Sequence, residues 1–172
     1  PQRLRSALTL SLTGTLLRSA RPKEAESLIS TLAGPERKLT AHEEAARDYL
    51  LGEAKRLQNE PIKAVEYWNK AEASGDQLYR VKAVLAKTVL QLQERAVKPE
   101  EAIERLERLR FAWRGDGLET QIAQVLGRLY LTIKKWDSAF ELMRDAAGFA
   151  AGSEAGNAMA AAITQAFPPF YT

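Results

Sequence analysis

Four alanines recur at near-equal intervals along this chain of 172 residues: Ala25, Ala64, Ala102 and Ala139, separated by 39, 38 and 37 residues. Three positions before them stand Pro22, Pro61, Pro99 and Trp136. Large apolar residues follow four later at Ile29, Trp68, Leu106 and Met143, and seven later come Leu32, Ala71, Leu109 and Ala146. Small and large residues at helical spacing, repeated four times, describe a recurring unit. Small residues such as Gly52, Ala64, Gly127 and Ala139 let two antiparallel helices approach closely, and bulky ones fill the space left over. One such hairpin leaves an apolar face uncovered, so each must stack on the next. A constant small rotation per hairpin then gives a curved solenoid whose inner groove is lined by the first helix of every pair.

Start and stop signals cut the helical periodicity into pieces. Pro22, Pro61 and Pro99 sit where proline opens a helix, with acidic residues close behind at Glu24 and at Glu100 and Glu101. Thr40 and Glu43 have the spacing of a capping box, as do Asp116 and Glu119. Gly34-Pro35 and Ser74-Gly75 read as stops. Helical signals also cover 3–18, 76–96 and 153–166. The expected organisation is a single helical-repeat domain over 1–172, with units near 3–38, 40–75, 76–114 and 117–150 and a final helix at 153–166. Alanine, leucine, glutamate and arginine dominate the composition, and β-branched runs are scarce, which favours helix over strand.

The register of these residues resembles the tetratricopeptide repeat family, whose consensus runs Leu-Gly, then Tyr, Ala, Phe and Ala at fixed offsets. Leu126-Gly127, Tyr130, Ala139 and Ala146 match, with Met143 in place of Phe. Leu51-Gly52, Ala64, Trp68 and Ala71 match too, with Lys55 where the tyrosine belongs. In the other two units Thr13 and Leu90 occupy the expected glycine positions. Each unit here is three to five residues longer than the family's period of about 34. The surplus is expected in "AGPERKLT", in an over-long first helix at 76–96, and in "WRGDG". The segment "LERLRFAWRGD" also resembles part of large bacterial repeat proteins, and a chain that opens at Pro1 reads as a piece of a longer protein or a processed form. The resemblance implies an all-α fold, a right-handed α–α superhelix of about four helical hairpins plus a C-terminal helix.

Catalytic constellations are scarce. There is no cysteine, so disulfides and thiolate metal sites are excluded, and both a reducing cytosol and a periplasm suit the chain. The one histidine, His42, reads as an exposed residue of a first helical turn. The pairs Glu43/Glu44 and Glu100/Glu101 fall at helix starts, where the macrodipole favours negative charge. No phosphate loop or dinucleotide fingerprint occurs, and "RGDG" at 114–117 reads as a turn. Trp68 and Trp136 read as packing residues, and "ERLERLRFAWR" as a solvated face of interleaved charges. Residues 1–38 carry seven Lys/Arg against three Asp/Glu, so the small net charge of +3 comes from the N-terminal segment. No apolar run approaches the length needed to span a bilayer.

The expectation is therefore a non-catalytic module that binds another protein, as a peptide or helix, or flanking domains of its own protein, with no metal or cofactor. The resemblance places the groove contacts at Tyr49, Glu53, Arg56 and Leu57 in one unit and at Gln124, Arg128, Leu131 and Thr132 in another, with Tyr49 as an anchor. Glu53 and Arg128 stand where some family members carry a carboxylate-clamping asparagine. The alternatives are a scaffolding domain of an enzyme whose catalytic part lies elsewhere in the chain, or a nucleic-acid-binding helical repeat. Residues 149–172 hold a single charge, Glu154, too apolar for a polar end cap.

Overall fold

The structure, a computed structural model, describes residues 2–33, 38–113 and 117–149. Among them the protein is all-α, with eight helices packed mostly against their chain neighbours: α1 (Gln2–Arg18), α2 (Pro22–Ser30), α3 (Ala41–Leu57), α4 (Pro61–Ala73), α5 (Gln77–Gln93), α6 (Pro99–Ala112), α7 (Gly117–Thr132) and α8 (Trp136–Phe149). The expected stop at Gly34-Pro35, the cap at Asp116 and the helix at 153–166 lie outside the described residues, as does the side chain of Ala146.

The predicted start signals act as expected. Proline occupies the first turn of α2, α4 and α6, where its missing N–H would have had no partner. The Thr40 hydroxyl accepts from the Glu43 amide at 3.2 Å, and the Glu43 carboxylate accepts from the Thr40 amide at 3.0 Å, closing the capping box of α3. Asp76 does a related job for α5, accepting from the Tyr79 amide at 3.0 Å.

The chain divides after Leu90 into two compact units. In the first, second helices are held between first helices. Ala25 of α2 packs with Leu17 of α1 and Ala54 of α3, while Ile29 and Leu32 meet Leu10 of α1 and Leu50 and Leu51 of α3. On the other side of α3, Ala64, Trp68 and Ala71 of α4 cluster with Ala83 and Leu90 of α5. Helices α1 and α3 also touch each other directly. In the second unit, α7 packs against both α6 and α8, and Leu106, Ile122, Leu126 and Met143 are fully buried. Ala25, Ala64, Ala102 and Ala139 are all buried to within 1%.

The close approach predicted at the glycines is present. A Cβ on Gly52 would overlap the indole ring of Trp68, and one on Gly127 would lie 2.6 Å from Cε of Met143. Alanine's extra methyl fits neither place without moving a core side chain.

Four turns share one backbone geometry that the alanine spacing did not reveal. Ala20, Asn59, Arg95 and Lys134 all adopt left-handed backbone, with φ between 54° and 60°. The residue after each donates to a carbonyl five residues back: Arg21 to Leu16 at 2.9 Å, Glu60 to Lys55 at 2.9 Å, Ala96 to Gln91 at 2.8 Å and Lys135 to Tyr130 at 2.9 Å. The left-handed residues donate three back, to Leu17, Arg56, Leu92 and Leu131. This is the Schellman helix end, here without glycine at any of the four positions.

These turns correct the sequence-based register in two places. The α5 helix is not over-long: it spans 17 residues, as α1 and α3 do, and ends at Gln93. The surplus lies after Arg95, where three residues stand between the left-handed position and the opening proline instead of one. Counting from the turn, the counterpart of Gly52 and Gly127 is therefore Thr88, not Leu90; Thr13 keeps its assignment. Both threonines are completely buried, and each hydroxyl donates at 2.7 Å to the carbonyl four residues back, Thr9 or Val84. The crowded position thus alternates Thr, Gly, Thr, Gly, and the two glycines face Trp68 and the long side chain of Met143.

Gly52→Ala is expected to cost about 1–3 kcal/mol in urea unfolding, because the new methyl and the indole claim the same space. In a Trp68→Leu background the same change should cost less, and equal cost in both backgrounds would argue against the contact. Ala139→Leu should cost a similar amount by overpacking α7 against α8.

Candidate functional site

The expected contact residues fall on two helices, one in each unit. Tyr49, Glu53, Arg56 and Leu57 lie on α3, and Gln124, Arg128, Leu131 and Thr132 on α7. On α3, Arg56 is exposed and pairs with Glu53 at 3.0 Å. Leu57 is half-buried against Leu17, Ala25 and Ala54, so part of its surface already serves the α1–α3 packing. On α7, Arg128 and Thr132 are exposed, Gln124 and Leu131 half-buried, and the Thr132 hydroxyl donates to the Arg128 carbonyl at 2.9 Å.

Tyr49 has the richest surroundings. Its ring is half-buried against the Ala64–Trp68–Ala71 cluster and stands 5.8 Å from the ring of Tyr79 on α5. Lys82, one turn beyond Tyr79, holds its ammonium 5.8 Å from the Tyr49 ring centre and 5.2 Å from that of Tyr79. Placed over aromatic faces, such a cation contributes about 0.5–1 kcal/mol per contact at a partly exposed site. Burial, then the Glu53 carboxylate, pushes the Tyr49 hydroxyl well above its ordinary pKa, and burial does the same for Tyr79. Both phenols stay neutral donors through the physiological range.

His42 joins the same surface. It is exposed at the start of α3, as expected, but its ring is not idle. Nδ1 lies 2.7 Å from Oδ2 of Asp76, and the ring meets Tyr79 edge-on at 5.3 Å. The start of α3 is thereby tied to the start of α5. Burial opposes ionisation of Asp76, yet the Tyr79 amide, His42 and the Leu78 amide together hold its carboxyl below the usual carboxylate range. Tyr79, Lys82 and Asp76 were not identified from sequence. Their signal is visible once α5 is aligned on α3 by the left-handed turns, since that alignment sets the first turns of the two helices side by side.

Between helices, a repeated polar tie joins a first helix to the second helix before it. Lys55 of α3 reaches Glu26 of α2 at 2.8 Å, where Gln58 also donates at 2.9 Å. Lys87 of α5 pairs with Glu72 of α4 and donates to Asn69 at 2.9 Å. In the second unit the Tyr130 hydroxyl of α7 donates to Glu107 of α6 at 2.8 Å. Burial, with the Glu107 bond added, pushes the Tyr130 pKa up to about 12. Lys55 and Tyr130 each stand four residues before a left-handed turn, and each delivers a hydrogen to a glutamate of the preceding helix. The Gln58 and Lys55 bonds hold the Glu26 carboxyl below its ordinary pKa.

Among the described residues no three His, Asp or Glu side chains converge as a metal site, and no described helix is long and apolar enough to cross a membrane. The α3–α5 surface is one of aromatic rings and charged side chains. Comparison with protein-family models gives no match for the chain, and no curated protein matches it.

A carboxyl whose folded pKa is depressed stabilises the fold above its unfolded pKa of about 3.9, and that stability fades as pH falls through the folded value. Between pH 5 and pH 3 the wild-type melting temperature should therefore fall more steeply than that of Asp76→Asn. Asparagine retains an acceptor for the Tyr79 amide but has no charge to lose. Parallel curves for the two proteins would remove Asp76 as a contributor.

Proposed function

We propose that the chain is a tetratricopeptide-like repeat module, a right-handed superhelix of about four hairpins, which holds a peptide or helix of another protein against its first helices. The single observation that carries this reading is the surface shared by α3 and α5. Tyr49, Tyr79, His42 and Lys82 gather on two first helices, with the Glu53–Arg56 pair continuing along α3. Tyrosines fixed by packing offer large contact area at low entropic cost, and the charged neighbours supply orientation. Direct contact between α1 and α3 supports the superhelical part, because stacked hairpins bring successive first helices side by side. The four matching turns support the same reading: one backbone unit recurs where the side chains have diverged.

Tyr49 is both a contact residue and a core residue in this reading. Truncating it would weaken folding along with binding, so exposed Arg56 and Arg128 are the cleaner probes. Arg56→Ala and Arg128→Ala should leave the melting temperature almost unchanged, since exposed ion pairs contribute about 0–1 kcal/mol. The same changes should weaken the partner. To find it, a photo-crosslinking amino acid at position 56 should capture a discrete polypeptide from the source cells, while one at exposed Ile62 should not. Capture of nucleic acid instead, with affinity falling steeply as salt rises, would assign the surface to phosphate contacts and overturn the proposal.

A further inference from the structure

Three aromatic rings follow one another across the α3–α5 surface. His42 meets Tyr79 with ring centres 5.3 Å apart, and Tyr79 meets Tyr49 at 5.8 Å. Both tyrosines are half-buried, and neither phenol hydroxyl has a hydrogen-bond partner among the described residues. We infer that this surface takes a proline-rich segment of another protein in the polyproline II conformation. The inference rests on the reading of the α3–α5 surface given above and selects between its two forms of partner, extended peptide and helix.

Hydrogen bonding makes the selection. Each phenol is a neutral donor, and Lys82 adds an ammonium over both rings. The carboxylates that act on the two phenols are already engaged. Arg56 donates to Glu53 at 3.0 Å, while Asp76 holds His42 at 2.7 Å and the Tyr79 amide at 3.0 Å. The surface therefore offers donors and ring faces, with the acceptors that act on its phenols in use. A partner that covers these hydroxyls without accepting from them leaves buried donors unpaired, which is unfavourable.

Three backbone forms meet that demand differently. A helix uses its carbonyls on its own N–H groups, so its backbone would cover the phenols and leave them unpaired. A β-type segment has free carbonyls, but it also brings N–H groups that need acceptors already committed elsewhere. Polyproline II has no internal hydrogen bonds, so its carbonyls are free to accept, and proline carries no N–H. Its pyrrolidine rings pack on aromatic side chains, the arrangement by which aromatic-lined grooves hold proline-rich segments. The spacing also matches, since two residues of polyproline II advance ~6 Å, close to each ring-to-ring step.

The full chain, isotope-labelled for NMR, can be titrated with three synthetic probes of equal length: deca-proline, a Gly-Ser peptide, and an amphipathic helical peptide of Leu, Glu and Lys. Deca-proline should shift the His42, Tyr49 and Tyr79 resonances saturably, and bind about tenfold or more tighter than either of the others. Tyr49→Phe and Tyr79→Phe keep the rings and remove only the hydroxyls. Each should weaken deca-proline about fivefold, the loss expected of one hydrogen bond. Melting temperatures should stay unchanged, because neither hydroxyl is bonded within the described chain. Ile62→Ala, on α4, should bind as wild type does. Absence of a saturable shift with deca-proline, equal or tighter binding of the helical peptide, or full affinity in both Phe variants overturns the inference. The reading beneath it fails separately: if position 56 captures a polypeptide while deca-proline does not bind, the partner surface stands and only its polyproline form is lost.

Discussion

The distance between paired helices governs the rest of the architecture. At Gly52 the α3 backbone lies directly against the Trp68 ring, and at Gly127 the α7 backbone lies against Met143. Contact at this range lets the second helix bury its largest side chain completely instead of leaving it in a groove. For Trp68 the burial has a cost, because among the described residues its indole N–H has no hydrogen-bond partner. An unsatisfied buried donor costs about 1–3 kcal/mol, so the dispersion and apolar area gained by seating the ring must outweigh it. The fully buried threonines at the equivalent positions of α1 and α5 turn their hydroxyls back onto their own helices, which leaves methyl groups for the core.

Once that spacing is set, the backbone can repeat while the side chains vary. The four Schellman turns are alike although they are centred on Ala, Asn, Arg and Lys. Left-handed backbone costs roughly 1–2 kcal/mol for residues with a Cβ, so the turns are imposed by the packing of the helices they join, with asparagine alone suited to the conformation. The polar ties vary likewise. Lys55, Lys87 and Tyr130 are different residues that accomplish one task, a hydrogen delivered to a glutamate of the preceding second helix. Such variation is physically cheap where a contact needs only a donor and a reach.

First helices carry the surfaces with the strongest chemical character. On α3 and α5, aromatic rings are fixed by the core beneath them and edged by charge, and His42 bridges to Asp76 across the helix starts.

Local patterns alone were enough to determine the helical class, the helix starts, the burial of the four alanines and the crowding at Gly52 and Gly127. Each of those depends on side-chain size or on a cap within a few residues. The expected groove residues could be assigned to α3 and α7 by register, but their surroundings could not. Whether Tyr49 stands free or leans on the core depends on Trp68 and Ala83, and its charged and aromatic neighbours on Tyr79 and Lys82, all far along the chain. The mistaken glycine equivalent, Leu90 in place of Thr88, arose from the same gap. Two extra residues in a turn leave the alanine spacing nearly regular, because the preceding connection, between α4 and α5, is shorter, and only the left-handed turn in the folded chain shows where they sit. Short-range sterics and capping are written in consecutive residues; which rings, charges and helices meet is decided by packing between segments distant along the chain.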